Sequence, residues 1–465
     1  MDEPDLRHER QFGNQGPADQ DDRKIGGQSD RILEQEQKPG PESRHKYCFK
    51  KLMLIDTTLR EGEQRFGLYL GNQARLRILN LLIKMGVDEV EVGLAGEDSQ
   101  LRELINYTAA FDLKPEISVW APFRVKHLIM ADALGPDIIN TALPVSDLHI
   151  EKRLGLNRNT LLQRLEQTLS QAGEMTARIS LGLEDVSRAD PTFALDTARM
   201  ARDLGVWRIR LSDSVGLFEP TSAGRIIAGF KKSLNMPLAF HGHNDFGMAT
   251  ANAVSALSAG CDYSDVSVLG IGERSGIARL EEVLAWLVFR TDHQKYDLTW
   301  LPGLSDLVAD LAGIRIDEHR PIVGSKIFHV ESGLHADALY KNPELFEPFA
   351  PEQLDLKRKI QLGAKSGKSA VQGKLKELFM DYDPGRLEAL VSVVRQEAGL
   401  RRAPLSDTSF KRICREVERP PAKDLTLKNP LIIQDVQADE SDLNAFSCPS
   451  GKSCRALAET SRSKA

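Results

Sequence analysis

Eight times between residues 51 and 291 a short β-type run is followed by a helical pattern, and this alternation limits the fold more than any other feature of the chain. The first run, KLMLIDTTL (51–59), precedes NQARLRILNLLIKMG, a helix that Gly86 ends because glycine enters the left-handed region at little steric cost. DEVEVG precedes a helix from Asp98 to Phe111, EISVWAP one from Arg124 to Met130, and DIINTAL one within 157–172. ARISLGLED leads to a helix with legible ends: Asp190 supplies the N-cap oxygen, Pro191 suits the first turn and Gly205 follows the last. WRIRLSDSVG, PLAFHGHND and YSDVSVLG complete the series, with helices after Pro220, from Ala249 to Ala259 and from Leu280 to Thr291. Eight units in roughly 240 residues predict a closed α/β barrel, a (β/α)8 TIM barrel over 50–295, because an open doubly wound sheet usually stops at five or six strands.

The pattern changes outside that stretch. From 300 to 420 helices dominate, which predicts a smaller, mostly helical C-terminal domain. Residues 1–46, rich in Asp, Glu, Arg, Gln, Gly and Pro, bury too little apolar surface to offset chain entropy and read as a disordered arm; 430–465 read as a disordered tail. No apolar stretch reaches the ~20 residues of a membrane span, and a net charge of -6 without basic runs among aromatics gives no footprint for nucleic acid. Five cysteines and no apolar leader fit reduced thiols in the cytoplasm. Cys448 and Cys454 bracket PSGKS in the tail, where no core holds a redox or metal pair in place. Small molecules are the expected partners.

In a strand, residues i and i+2 share a face, so His241 and His243 aim their rings at one point near the barrel axis. Two imidazoles form half a shell for a divalent metal, although hydrogen-bonded, metal-free histidines at a strand exit are an equal reading of H-x-H alone. The first strand tips the balance. DTTLREGEQ crowds Asp56, Arg60, Glu61, Glu63 and Gln64 into one loop, and in a closed barrel that loop shares a rim with His241. A carboxylate from Asp56 or Glu61 would complete a two-histidine, one-carboxylate face, with Arg60 beside it as a cation for a developing enolate or alkoxide.

LIDTTLREGEQ, GLEDVSRADP, SDSVG, HGHNDFGMATANA, GIGERSGIARLEEV, HVESGLHADAL and NPELFEPF follow in order, and the chain resembles the homocitrate synthase and 2-isopropylmalate synthase family from 51 to 380, most of all its short, nitrogen-fixation-type form. The resemblance implies a divalent metal (Mn2+, Mg2+, Zn2+ or Co2+) on Glu61, His241 and His243, and acetyl-CoA as co-substrate for a 2-oxo acid. It implies Arg60, His335 and Glu331 as catalytic residues, and Gln64, Ser214, Arg188 and Glu184 as substrate-binding residues. Gly272, Glu273 and Arg274 would form a rim loop near the CoA arm. The implied reaction is condensation and thioester hydrolysis, with 2-oxoglutarate giving homocitrate, in a homodimer whose helical domain reaches into the partner's site. Alternatives are 2-isopropylmalate, citramalate or citrate synthesis, an aldolase-type lyase on the same barrel, and an impaired paralogue with a binding role.

Several positions depart from the family pattern: Leu269 and Ile277 stand for asparagines, Phe346 for tyrosine, Lys365 for histidine, and EVGLAGEDSQ lacks the usual Pro-Ala step. LGAKSGKSAV misses the first glycine of a P-loop at Leu362, and GIGERSG has the wrong spacing for a dinucleotide fingerprint. His127 and His149 read as surface or packing residues; Trp120, Trp207, Trp286 and Trp300 read as core or interface residues.

Overall fold

The computed structural model describes residues 52–418 apart from 97, 98 and 292. The arm over 1–46, the tail over 430–465 with Cys448 and Cys454, and part of EVGLAGEDSQ lie outside the described residues. The chain alternates β1 (Met53–Asp56), α1 (Asn72–Met85), β2 (Glu89–Leu94), α2 (Ser99–Thr108), β3 (Glu116–Trp120), α3 (Val125–Asp132) and β4 (Ile138–Pro144). After β4 a short helix, α4 (Asp147–Lys152), precedes α5 (Arg158–Ala172). Then follow β5 (Arg178–Glu184), α6 (Pro191–Asp203), β6 (Arg208–Asp213), α7 (Pro220–Ser233), β7 (Leu238–Gly242), α8 (Ala249–Ser258), β8 (Tyr263–Val266) and α9 (Leu280–Arg290). Each strand pairs in parallel with the next, and β8 pairs back with β1, Met53 opposite Tyr263, closing the expected barrel. The anticipated caps are present: Asp190 accepts from Thr192 N at 2.9 Å, and Gly86 lies at φ 80°.

α4 was not anticipated. Ser146 caps it by accepting from His149 N at 3.3 Å, and Asp147 occupies its first turn, so a serine followed by an acidic residue was the signal for it.

The main hydrophobic core lies outside the sheet. Outward-facing Leu54, Val90, Val119, Ile139, Leu181, Leu211, Phe240 and Val266 are buried against the helical ring. The barrel interior is instead charged, because DEVEV and RIRL place their acids and arginines with period two on the inner face. Near its floor Arg208 donates to Glu89 at 2.6 and 3.0 Å, to Asn140 at 3.1 Å and to Ser180 at 3.0 Å; both charged side chains are wholly buried. Burial opposes ionisation of Glu89, but the guanidinium holds its carboxyl below the usual range. Ile55, Ala239 and Tyr263 close the floor below, with Met53 and Trp207 packed on them.

Beyond the barrel come α10 (Leu301–Ala312), β9 (His329–Val330), α11 (Gly333–Lys341), β10 (Lys359–Ile360), α12 (Lys368–Glu377), α13 (Leu387–Arg401) and α14 (Asp407–Glu418). α10 packs on α1, whereas α11 to α14 gather a second core around Leu339, Val371, Leu375, Val394 and Phe410. Phe349 ties this region back by stacking on Phe289 of α9 at 4.2 Å between ring centroids.

Arg208→Met leaves Glu89 charged and unpaired in the barrel floor. Urea unfolding should show a loss of about 3–5 kcal/mol, part of it recovered when Glu89 is also made apolar; an unchanged midpoint would refute the ion pair's role.

Candidate functional site

At the carboxyl ends of the strands a cleft of about 330 Å³ is lined by Arg60, Glu61, Gln64, Glu184, Arg210, Ser214, His241, His243, Glu273 and Arg274 among others. A larger hollow of about 720 Å³ at the opposite end, around Met53, Lys84, Asp88 and Lys295, gathers no comparable set of ligating groups. In barrels of this kind the chemistry sits at the carboxyl end.

The first loop is built by its own short polar residues. Asp56 accepts from the backbone and hydroxyl of Thr58 at 3.0 Å each, and Thr58 Oγ1 accepts from Val268 N at 2.9 Å, which ties the loop after β1 to the loop after β8. Thr57 O accepts from the amides of Arg60 and Gly62 at 3.0 and 3.1 Å, turning Arg60 and Glu61 inward. Asp56 therefore positions the loop from behind, and the carboxylate offered to the cleft is that of Glu61. Burial pushes Asp56 up to about 7, with Glu281 adding to the effect, and Glu281 is itself pushed up to about 7 by burial.

Glu61, His241 and His243 are all buried and place one ligand atom each within 4.8 Å of the others. His241 Nδ1 donates to Asp265 Oδ2 at 2.8 Å, and its Nε2 faces His243 Nε2 at 3.3 Å. His243 Nδ1 is buried with no hydrogen-bond partner, and burial, with His241 beside it, takes its ring down to about 4, so it stays neutral. Burial works against Glu61, but the Arg60 guanidinium keeps it below the usual carboxylate range. Two imidazoles and one carboxylate that converge in a buried corner, with a second carboxylate bonded to one of the rings, fit a divalent metal.

Arg60 donates to Glu61 Oε2 at 2.5 Å and to Glu91. Arg210 lies 3.4 Å from Glu91 and 3.3 Å from Asp265, so one arginine sits between the acid that aims Arg60 and the acid that aims His241. Glu91, Arg210 and Asp265 were not anticipated; the alternating charges of VEV and RIRL, and the lone acid in YSDV, were their signal.

On the remaining walls, Ser214 Oγ accepts from Asp185 N at 2.9 Å. Gly272 passes so close to Glu61 that a Cβ would stand 3.2 Å from its carboxylate, and Glu273 N donates to Glu61 at 3.1 Å. Arg274 grips Asp245 through two 2.9 Å bonds. Arg188 is turned to Asp185 at 2.8 Å and does not line the cleft. His149, read as a surface or packing residue, and Trp120, read as a core or interface residue, both line it.

Glu331 and His335 stand apart from the cleft of their own chain. Glu331 accepts from Lys365 N at 3.0 Å, and the His335 ring meets Phe346 at 4.3 Å between centroids. Leu269 is held at φ 59° with its side chain in the main core, its amide donating to Glu281 at 2.9 Å; Ile277 is buried and pairs its backbone with His243.

The model of the HMGL-like family matches residues 51–308, and that of the homocitrate synthase post-HMGL domain-like family matches 322–402. Among curated relatives, 2-isopropylmalate synthase 2 of Caldanaerobacter subterraneus is 33% identical, over 79% of this chain and 96% of its own. The chain belongs to the homocitrate synthase and 2-isopropylmalate synthase family. That membership places it among the acyl-CoA-dependent transferases. Homocitrate synthase 1 of Nostoc sp. is 32% identical over 79% of this chain and 97% of its own. The hydroxymethylglutaryl-CoA lyase of Pseudomonas aeruginosa shares the fold alone, with 21% identity and a TM-score of 0.51 over 58% of this chain and 95% of that one.

Asp265→Asn leaves the packing in place but weakens the group that orients His241. Calorimetric titration with Mn2+ should show affinity reduced about 10- to 100-fold; wild-type affinity would mean that Asp265 does not serve a metal ligand.

Proposed function

We propose that this protein condenses acetyl-CoA with 2-oxoglutarate and hydrolyses the thioester, giving homocitrate and free CoA. The observation that carries this reading is the convergence of Glu61, His241 and His243 beside Arg60 in one buried corner of the cleft. A divalent metal (Mn2+, Mg2+, Zn2+ or Co2+) on that triad would supply a Lewis acid for the 2-oxo acid. Arg60, aimed by Glu91, faces the negative charge that grows on the keto oxygen, and in a site closed to water such a fixed cation is worth far more than in solution. Gln64 and Ser214 bind the acceptor, with Glu184 on the far wall and Arg188 behind it. Gly272, Glu273 and Arg274 receive the CoA arm. A methyl proton leaves acetyl-CoA, a carbon–carbon bond forms to the keto carbon, and water releases the thiol.

A methyl proton beside a thioester is weakly acidic, so its removal needs a positioned base. His335, with Glu331, fills that role from a second copy of the chain. Support comes from two sets of exposed apolar side chains: Phe66, Tyr69, Leu217 and Phe246 on the rim loops, and Leu334, Leu345 and Phe346 around His335. Each set lacks cover among the described residues of its own chain, and a homodimer that seats one on the other completes the site. The match over 322–402 supports condensation rather than the lyase reading, and the intact triad supports activity rather than an impaired paralogue. The absence of a helix long and apolar enough to cross a membrane among the described residues is compatible with a cytoplasmic setting.

Free-thiol release from acetyl-CoA with Mn2+ or Mg2+ is expected with 2-oxoglutarate, and should fall by more than about a hundredfold in His241→Ala. Silence with every 2-oxo acid tried while metal is bound would overturn the reading. Mixing His241→Ala with His335→Ala subunits should restore about a quarter of wild-type activity, since half of random dimers then hold one intact site; no recovery despite subunit exchange would rule out a shared site.

A further inference from the structure

The wall of the cleft that faces the triad is made by β4, β5 and α4. Register pairs Pro144 with Glu184, Glu184 with Ser212 and Ser212 with His241, so Glu184 stands two strand spacings, roughly 10 Å, around the rim from His241. Below Glu184 the far wall is kept open by Ala142 and Gly182, where a Cβ on the glycine would come 3.0 Å from the alanine methyl. Apolar side chains are scarce throughout: among the described residues, Trp120, Ala142 and Val215 are the only ones lining the cleft. A branched aliphatic acceptor would bury its tail against little apolar surface.

The cations of the cleft differ in where they stand. Arg60 is engaged by Glu61 and Glu91 and Arg274 grips Asp245 with two bonds, while Arg210, with Nε and Nη2 lacking hydrogen-bond partners, is buried between Glu91 and Asp265 on the side of the triad. Arg153, the residue that ends α4, is half-exposed on the far wall and, among the described residues, donates through Nη2 alone, to Glu184. A guanidinium has five N–H donors in a planar fork, so Nε and Nη1 stay open while Glu184 holds one edge.

We propose that Arg153 is the specificity-determining residue of the cleft: oriented by Glu184, it takes the far carboxylate of a 2-oxo dicarboxylic acid whose keto end lies at the triad. The proposal rests on the condensation reading and narrows its acceptor to 2-oxo acids with a second anionic group. α4 is the device that brings Arg153 there, since Ser146 starts the helix at the end of β4 and its single turn and a half delivers residue 153 over Glu184.

The test is calorimetric titration of the full-length, Mn2+-loaded protein, without acetyl-CoA, using 2-oxoglutarate and 2-oxopentanoate, which differ in the far carboxylate alone. Wild type should bind 2-oxoglutarate at least about tenfold more tightly. Arg153→Gln should weaken 2-oxoglutarate by about 10- to 100-fold and leave 2-oxopentanoate unchanged, with Arg153→Lys keeping part of the preference. Equal weakening of both acids, an unchanged ratio, or no binding of 2-oxoglutarate to the loaded wild type would overturn the proposal. The two readings separate cleanly. Selectivity that depends on Arg153 without thiol release from acetyl-CoA would uphold the anion subsite and sink the condensation, whereas thiol release with subsaturating 2-oxoglutarate equally fast in wild type and Arg153→Gln would do the reverse.

Discussion

Glu89, Glu91, Arg208, Arg210 and Asp265 are ionisable groups almost entirely removed from water inside a closed barrel. Each would cost several kcal/mol if left alone, so the interior is stable only when acids and arginines meet. Their pairing settles more than stability. The Glu89–Arg208 pair fills the floor, and in the next layer up Glu91 turns one oxygen to Arg210 and the other to Arg60, while Asp265 shares a single oxygen, Oδ2, between Arg210 and His241. The orientation of the functional groups is thus an extension of the charge balance that lets the barrel close.

This arrangement separates two tasks that fall on neighbouring residues. Asp56, one strand end from Glu61, is buried behind the loop and holds Thr58; Glu61 reaches forward between Arg60 and the two rings. The glycines after β8 serve the same end, because Gly272 leaves the space in which the Glu61 carboxylate lies. Leu269 shows how the region tolerates departure from the family pattern. Its backbone keeps a left-handed turn that a branched side chain seldom adopts, pinned by Glu281 at the amide and Arg320 at the carbonyl, while the side chain joins the apolar core.

Much of the fold was legible because period-two and helical runs alternate with capped ends, and those rules act within a few residues: Asp190, Pro191, Gly86 and Gly205 all stand where their local chemistry requires. The triad was legible for a similar reason, since His241 and His243 share a strand face. Other parts were not. α4 spans six residues, too short for periodicity to reveal, and with it His149 and Arg153 were missed as cleft residues. Glu91, Arg210 and Asp265 lie on three strands far apart in sequence, so no local window contains their partnership.

The sequence by itself determined the barrel, the placing of an H-x-H pair at the seventh strand end, and a carboxylate-bearing loop at the first, because strand alternation and the order of β and α units decide them. Only the tertiary structure decided which acid faces the histidines, which arginine stands on the wall opposite them, and that Glu331 and His335 lie away from the cleft of their own chain. Those outcomes depend on distances across the barrel, set by strand register and by the need of each buried charge for a partner, and neither is written in any contiguous stretch of residues.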